Sequence, residues 1–263
     1  MDDFLGDEME NPAQEVQCKG SWTPFAKVFF SLLIFLGIFL ILNHSLFVVR
    51  EIKVDGVAPS DIMALKEETG IHKGTSLLAI DEEKIKKCLD ATGYLKLISI
   101  KKDFIKGELH FKAQYRKPFL MISVLGYGYV LDKEDHVICQ KQKEEADKDL
   151  IQVEGLKVDF VKKGEKIHLK IKKQYQDYRF IVDELIKHQF VYNVAKISFI
   201  QNNEIIIYTK RGDIITLGTS TNACKKLTTA FATVAKLIEL HKPHGRIDVS
   251  ATVDGEAIYT PLY

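Results

Sequence analysis

Few side chains in this sequence have the types and spacing that chemistry requires. Cys18 precedes a long apolar run, and Cys88, Cys139 and Cys224 follow it. Three is an odd number, there is no C-x-x-C pair, and none stands at metal-ligand spacing from a histidine. They read as lone thiols and leave the redox compartment open. His72, His110, His136 and His168 stand apart in the sequence; His241 and His244 are close, but Pro243 separates them and no third ligand is near. No metal, cofactor or catalytic residue is expected. Arg211-Gly212-Asp213 spells an adhesion tripeptide and reads as a hairpin turn. The chemistry on offer is that of a backbone. Ala257-Ile258-Tyr259-Thr260 reads as a final strand with no successor in sequence to pair with, so it belongs at a sheet edge with one row of N–H and C=O groups unpaired. Such a strand carries guards, Lys or inward charges, or it accepts a partner strand; this one has no guard, and Pro261 only stops it. Successive side chains of a strand point to opposite faces, so one of Ile258 and Tyr259 packs inward and the other meets partner or solvent. Ala257, Ile258, Tyr259 and Thr260 are the candidate partner-binding residues.

The element that must place this surface lies at the other end of the chain. Val28 to Val49 carries no charge, between Lys27 and Arg50. As a helix, its roughly 22 residues span about 33 Å, enough for a bilayer core of about 30 Å. It is apolar on all sides through Leu42, where a core helix would show a polar stripe. A signal peptide would need a shorter apolar region and a small-x-small cleavage site, and Asn43-His44-Ser45-Leu46-Phe47 offers none. The expectation is an uncleaved single anchor over 28–49.

Residues 1–27 carry six acids and two bases with few apolar residues, and read as a disordered tail. Of the chain's 37 bases and 36 acids, 35 and 30 remain for the body after Val49, a net of about +5. That is too mild for a nucleic-acid surface, which needs bases gathered on one face. Lys19 and Lys27 before the apolar run nearly balance Arg50 and Lys53 after it, so the positive-inside rule leaves the orientation open.

Along the body the pattern predicts a strand over 48–54, a turn at Asp55-Gly56, and a helix that Ser60 caps and Gly70 ends. A second helix starts at Asp81 and stops at Gly93; strands follow over 95–102 and 108–115, with a turn at 103–107. Ile52, Val54, Ile62, Leu65, Leu77, Ile85, Leu89, Ile100 and Phe111 are the expected core. After Pro118 come short strands at 119–124 and 127–131, a turn at Asp132-Lys133-Glu134-Asp135, a charged loop over 140–148, and a strand at 150–153. A helix over 170–189 turns Ile171, Tyr175, Tyr178, Val182, Leu185 and Ile186 inward. Strands at 194–200, 204–210 and 214–217 follow, with turns at Gln201-Asn202-Asn203 and 211–213. A helix from Ala223 to about 240, capped by Asn222, buries Leu227, Phe231, Val234 and Ile238. The closing hairpin, 246–253 with 256–260, turns at Asp254-Gly255.

Ile52-Lys53-Val54-Asp55-Gly56, the stretch Gly74-Thr75-Ser76-Leu77-Leu78-Ala79-Ile80-Asp81, and Leu109-His110-Phe111 through Tyr115-Arg116-Lys117-Pro118 together carry a resemblance. In order and spacing they resemble the polypeptide-transport-associated (POTRA) domain of the FtsQ/DivIB family of bacterial division proteins. Ser76 stands where the family has Asn, and Tyr115 where it has Glu. The match covers roughly 25–140 well and the rest loosely. The resemblance implies an α+β protein: a cytoplasmic tail at 1–27, a transmembrane helix at 28–49, a β-α-α-β-β POTRA domain at 50–118, a mixed α/β "β domain" with a largely antiparallel sheet at 119–260, and a short end at 261–263. It further implies a body outside the cytoplasmic membrane, enrichment at the division septum, and a non-enzymatic divisome scaffold with no small-molecule substrate. Its partners would be FtsB/DivIC-like and FtsL-like bitopic proteins, added as a strand at Ala257–Thr260.

Two alternatives use the same features. One is a secretion-linked POTRA protein; outer-membrane insertases of that kind continue into a barrel, for which this chain has no room. The other is a sortase, since Thr216-Leu217-Gly218-Thr219-Ser220 is similar to the Thr-Leu-x-Thr-Cys of that anchored enzyme class. Ser220 is not a thiol, His168 lies well upstream, the next Arg is Arg246, and Cys224 comes four residues late. A similar Leu-Gly followed by a Lys-Leu helix, here Lys226-Leu227, occurs in the FtsQ family.

Overall fold

The computed structural model describes residues 22–45, 47–142, 149–200, 204–251 and 255–262. Residues 1–21, residues 143–148 of the charged loop expected over 140–148, Gln201-Asn202-Asn203 of an expected turn and Asp254 of the expected Asp254-Gly255 turn lie outside the described residues, as does the side chain of Leu65; residues 140–142 of that expected loop are strand.

Helix α1 runs Trp22–Ser45. One stretch of it, Pro24–Ile41, is long and apolar enough to cross a membrane, and none of it is buried against the rest of the protein. The charge-free run does not end with the helix. Past Ser45, Val48 bridges to Ser76, Val49 donates to Thr75 O at 2.8 Å, and the Val49 side chain is buried in the core beyond. The sequence pattern gave all of 28–49 to the apolar span, because Phe47, Val48 and Val49 are as apolar as what precedes them; packing gives Val49 to the body.

The first lobe holds β1 (Glu51–Asp55), α2 (Pro59–Thr69), α3 (Glu82–Ala91), β2 (Leu95–Asp103) and β3 (Glu108–Tyr115). Its sheet runs β1-β3-β2, with β1 parallel and β2 antiparallel to the central β3. Local chemistry explains the helix ends. Pro59 opens α2 after Ala58, so the expected Ser60 cap is not made, and Gly70 closes it at φ 67. Asp81 caps α3 by accepting from the N–H groups of Glu83 and Lys84. The core here is Val49, Ile71, Leu77, Ile80, Ile85, Leu89, Leu95, Leu109, Phe111 and Ala113, with Ile52, Val54 and Ile100 partly buried against it. Ile62 is not part of that cluster.

The second lobe is built on nine strands: β4 (Leu120–Val124), β5 (Tyr127–Leu131), β6 (Val137–Gln142), β7 (Ile151–Glu154), β10 (Val194–Phe199), β11 (Ile205–Thr209), β12 (Ile214–Gly218), β13 (Gly245–Asp248) and β14 (Ile258–Pro261). Their order is β14-β13-β12-β11-β10-β7-β4-β5-β6. Five neighbouring pairs are antiparallel; β12–β13, β10–β7 and β4–β7 are parallel. A separate pair, β8 (Val158–Phe160) and β9 (His168–Leu169), has no counterpart in the sequence reading. Helices α4 (Lys172–Lys187) and α5 (Ala223–Glu239) cover one face, and the core between sheet and helices includes Ile122, Val153, Ile197, Ile215, Tyr178, Ile181 and Leu227.

Each helix turns most of its expected stripe toward the core, Tyr175, Tyr178, Val182, Leu185 and Ile186 in α4 and Leu227, Phe231 and Val234 in α5, and each leaves one expected residue outside. In α4, Ile171 is an exposed N-cap and Ile181 takes an inward place. In α5, Ala223, Leu227, Ala230, Val234 and Leu237 are buried while Ile238 is exposed, and Phe231 sits at the flank, stacked on Phe190 with centroids 4.1 Å apart. Asn222 precedes α5 in the left-handed region, at φ 55, and its side chain makes no cap bond.

The lobes meet where α3 ends. A side chain on Gly164 would strike the backbone of Asp90, and one on Gly93 the backbone of Ile138, so the two chains touch at glycine distance. Arg116, buried, donates to Asp90, to Asp132 and to Leu95 O, tying first lobe to second.

Candidate partner-binding edge

The candidate edge starts from β13 and β14, which pair antiparallel: Gly245 with Pro261, Arg246 with Thr260, Ile247 with Tyr259 and Asp248 with Ile258. The strands close at Asp248 and open again at Ile258, so the connection covers 249–257 and is longer than the two-residue turn expected from Asp254-Gly255. Pro261 lies within the strand rather than after it. Within the nine-stranded sheet β14 is terminal, and among the described residues β13 is its one neighbour.

The hydrogen-bond phase follows from one further contact. Leu262 N–H donates to His244 O at 3.1 Å. Hydrogen-bonded and non-hydrogen-bonded pairs alternate along an antiparallel ladder. Arg246–Thr260 and Asp248–Ile258 are then bonded pairs, and the Tyr259 N–H and C=O, with the Pro261 C=O, face away from β13. This is the backbone row that an added strand would take.

Side chains sort by the same alternation. Tyr259 shares a face with Ile247, which is fully buried; it packs against the main core, and its hydroxyl donates to Pro243 O at 2.8 Å. Ile258 lies on the other face, 71% exposed, beside Thr260 and opposite Arg246 and Asp248. Ala257 is partly buried against the core. The four candidates are therefore contiguous but unequal: Ile258 and Thr260 face outward, while Ala257 and Tyr259 anchor the strand.

The anchoring reaches into the Arg211–Asp213 turn. Arg211 grips Asp213 with two hydrogen bonds of 2.7 Å, and Asp213 is fully buried. Burial alone would raise the Asp213 carboxyl, but the Arg211 guanidinium and the Gly245 N–H hold it below the usual carboxylate range. Asp213 accepts from Gly245 N at 3.1 Å, and Arg211 donates to the Lys242 carbonyl at 3.1 Å, so this turn fixes where β13 begins. Gly245 has no side chain because one would collide with the Tyr259 ring and with Thr260 O. Sequence reasoning missed this support; the buried Asp two residues after an Arg in a hairpin turn was its visible sign.

The Thr216–Ser220 stretch ends β12 and leads into α5. Lys226, buried, donates to Leu217 O and Thr219 O, each at 3.2 Å, and desolvation pushes its ammonium pKa down. The Ser220 hydroxyl accepts from Lys173 at 3.2 Å, Cys224 is exposed on the first turn of α5 with its thiol 3.6 Å from Glu184, and His168 in β9 is stacked on Phe160 of β8.

One group of possible metal ligands does come together. Asp132, Glu134 and His136 place ligand atoms within 4.8 Å of one another, so His136 does not stand apart as its sequence position suggested. Each acid already has a cation: Asp132 binds Arg116 and Glu134 binds Lys96. His110, likewise, lies 2.9 Å from Glu108.

No protein-family model matches the sequence, and no curated protein matches it.

Proposed function

We propose that this chain is a membrane-anchored binding scaffold whose working surface is the outer edge of β14. More particularly, we read it as a division protein of the FtsQ/DivIB kind, with its tail in the cytoplasm, its body outside the cytoplasmic membrane, and a place at the septum. Its task in this reading is to recruit and link FtsB/DivIC-like and FtsL-like bitopic proteins without doing chemistry.

The observation that carries the reading is the terminal strand Ile258–Pro261, which carries no Lys or inward charge, with the Tyr259 N–H and C=O turned outward and Ile258 open on one face. Three features support it: the apolar helix ahead of the body, the strand-helix-helix-strand-strand order of the first lobe that a POTRA domain would have, and a β-rich second lobe. A partner that adds a strand here gains main-chain hydrogen bonds, and its side chains meet Ile258 and Thr260.

Ile258→Lys combined with Thr260→Lys tests this, because both side chains face outward and lysines guard an edge against pairing. Tyr259 is a poor probe, since its ring belongs to the core. In detergent-solubilised membranes the double variant is expected to lose the FtsB/FtsL-like partners on co-purification while its circular dichroism stays native. Full partner retention would falsify the assignment of the edge.

A further inference from the structure

The first lobe has an end at which two loops, one between α2 and α3 and the other between β2 and β3, meet the chain leaving α1. Phe47 O accepts from Leu77 N at 2.7 Å, and the Phe47 ring packs edge-on against Phe104 at 5.8 Å. Gly107 O accepts from Arg50 N at 2.8 Å, and a side chain on Gly107 would strike Val48 O and the Arg50 side chain. The β2–β3 turn is therefore fastened to the residues just past Ser45.

At its tip the turn sets an apolar pair in the open. Ile105 is 93% exposed and Phe104 38%, and Leu78 on the adjoining loop is 52% exposed. No buried contact accounts for Ile105. The turn pairs three of its own N–H groups: Asp103 accepts from the N–H groups of Ile105 and Lys106 at 3.0 Å each, and Gly107 N donates to Asp103 O at 2.8 Å. With these N–H groups paired internally, the tip gives up fewer hydrogen bonds to water on entering a poorly hydrated layer. Arg50 and Lys106 flank the tip, both exposed.

We propose that Phe104 and Ile105 form a wedge that enters the headgroup layer of an anionic lipid bilayer, with Arg50 and Lys106 on the lipid phosphates, and so holds the first lobe against the membrane. The proposal rests on the reading that α1 spans that membrane. Geometry favours the lipid surface as the occupant. Centring Pro24–Ile41 in a hydrocarbon core of about 30 Å leaves Ser45 about 4 Å outside it. Two more residues carry Phe47 at most about 7 Å further. The end of the lobe that holds Phe104 is thus tethered at the headgroup layer, where apolar side chains with basic neighbours bind anionic lipid.

The chain has one tryptophan, Trp22, which makes fluorescence selective. The full chain carrying Trp22→Phe with Ile105→Trp is reconstituted in phosphatidylcholine–phosphatidylglycerol vesicles brominated on the acyl chains near the glycerol. Tyr192→Trp in the same background reports the second lobe, at a site 72% exposed. The wild-type chain, with Trp22 beside the apolar stretch, reports whether α1 is inserted. The expected result is blue-shifted, quenched emission from the Ile105→Trp reporter and unquenched emission from the Tyr192→Trp reporter. Quenching of the first should weaken in phosphatidylcholine alone; equal quenching in both lipids overturns the part given to Arg50 and Lys106. An unquenched Ile105→Trp reporter beside a quenched wild-type Trp22 overturns the wedge and leaves the span standing. Quenching of both reporters overturns a specific tip. An unquenched Trp22 removes the span, and the proposal with it.

Discussion

Arg116 shows most clearly how a single residue joins the two lobes. A guanidinium out of water must be paired, and Arg116 is paired on two sides, with Asp90 at the end of α3 and with Asp132 after β5. Burial by itself would raise the Asp132 carboxyl, yet the His136 ring 3.7 Å away, the Arg116 guanidinium and the donating backbone N–H groups of Glu134 and His136 hold it well below the usual carboxylate range. Such a depressed group adds stability that is fully present above its unfolded value, about 4, and is lost as pH falls through the folded value. Arg116→Ala leaves Asp90 and Asp132 without their cation and is expected to cost about 3–5 kcal/mol. It should also flatten the acid side of the stability profile, since Asp132 is then less depressed. Urea unfolding of the detergent-purified chain at neutral pH and below pH about 4 checks both effects. An unchanged neutral-pH midpoint, or an unchanged acid slope, would overturn this account of the clamp.

Among the elements, α5 bears directly on the candidate edge because it packs behind β12 and β13. Its apolar residues fit two overlapping stripes at spacings of three and four, one through Phe231 and Ile238, the other through Ala230 and Leu237. The sheet takes the second, in which Ala223 and Ala230 let the helix lie close, and Lys226 caps the carbonyls where β12 ends. Leu237→Ala is therefore expected to cost about 2–5 kcal/mol, whereas Ile238→Ala should stay within about 0.5 kcal/mol. Thermal unfolding of the two variants side by side decides between the stripes: a larger loss for Ile238→Ala would mean the helix is turned the other way.

For the whole molecule, the proposed anchor puts the tail and the body on opposite sides of a membrane. The basic residues flanking α1 nearly balance, so the expected sidedness, tail inside and body outside, comes from the family resemblance and from no charge count. Protease added to intact, wall-stripped cells should remove everything past Arg50 and spare the tail. A body that survives until the cells are permeabilised would reverse the orientation, and with it the access of β14 to any partner outside the membrane.

The sequence by itself determined features that depend on near neighbours in the chain. The charge-free run marks the apolar helix, Asp81 and Gly70 mark helix ends, and alternation marks the strands from β10 to β12, because each signal repeats within a few residues. The strand expected at Ala257–Thr260 is likewise present as β14, at one end of the nine-stranded sheet. What only the tertiary structure decided depends on partners distant in sequence. Val49 left the apolar run for the core because Thr75 and Ser76 pair with that stretch. Tyr259 rather than Ile258 turned inward because β13 presents Ile247 and glycine at position 245. Asp132 and Arg116, an unremarkable turn acid and a strand-end base, became one buried unit because folding brings α3 against the second lobe. Period and propensity say that a strand has two faces; only the neighbour it packs on chooses which face is buried.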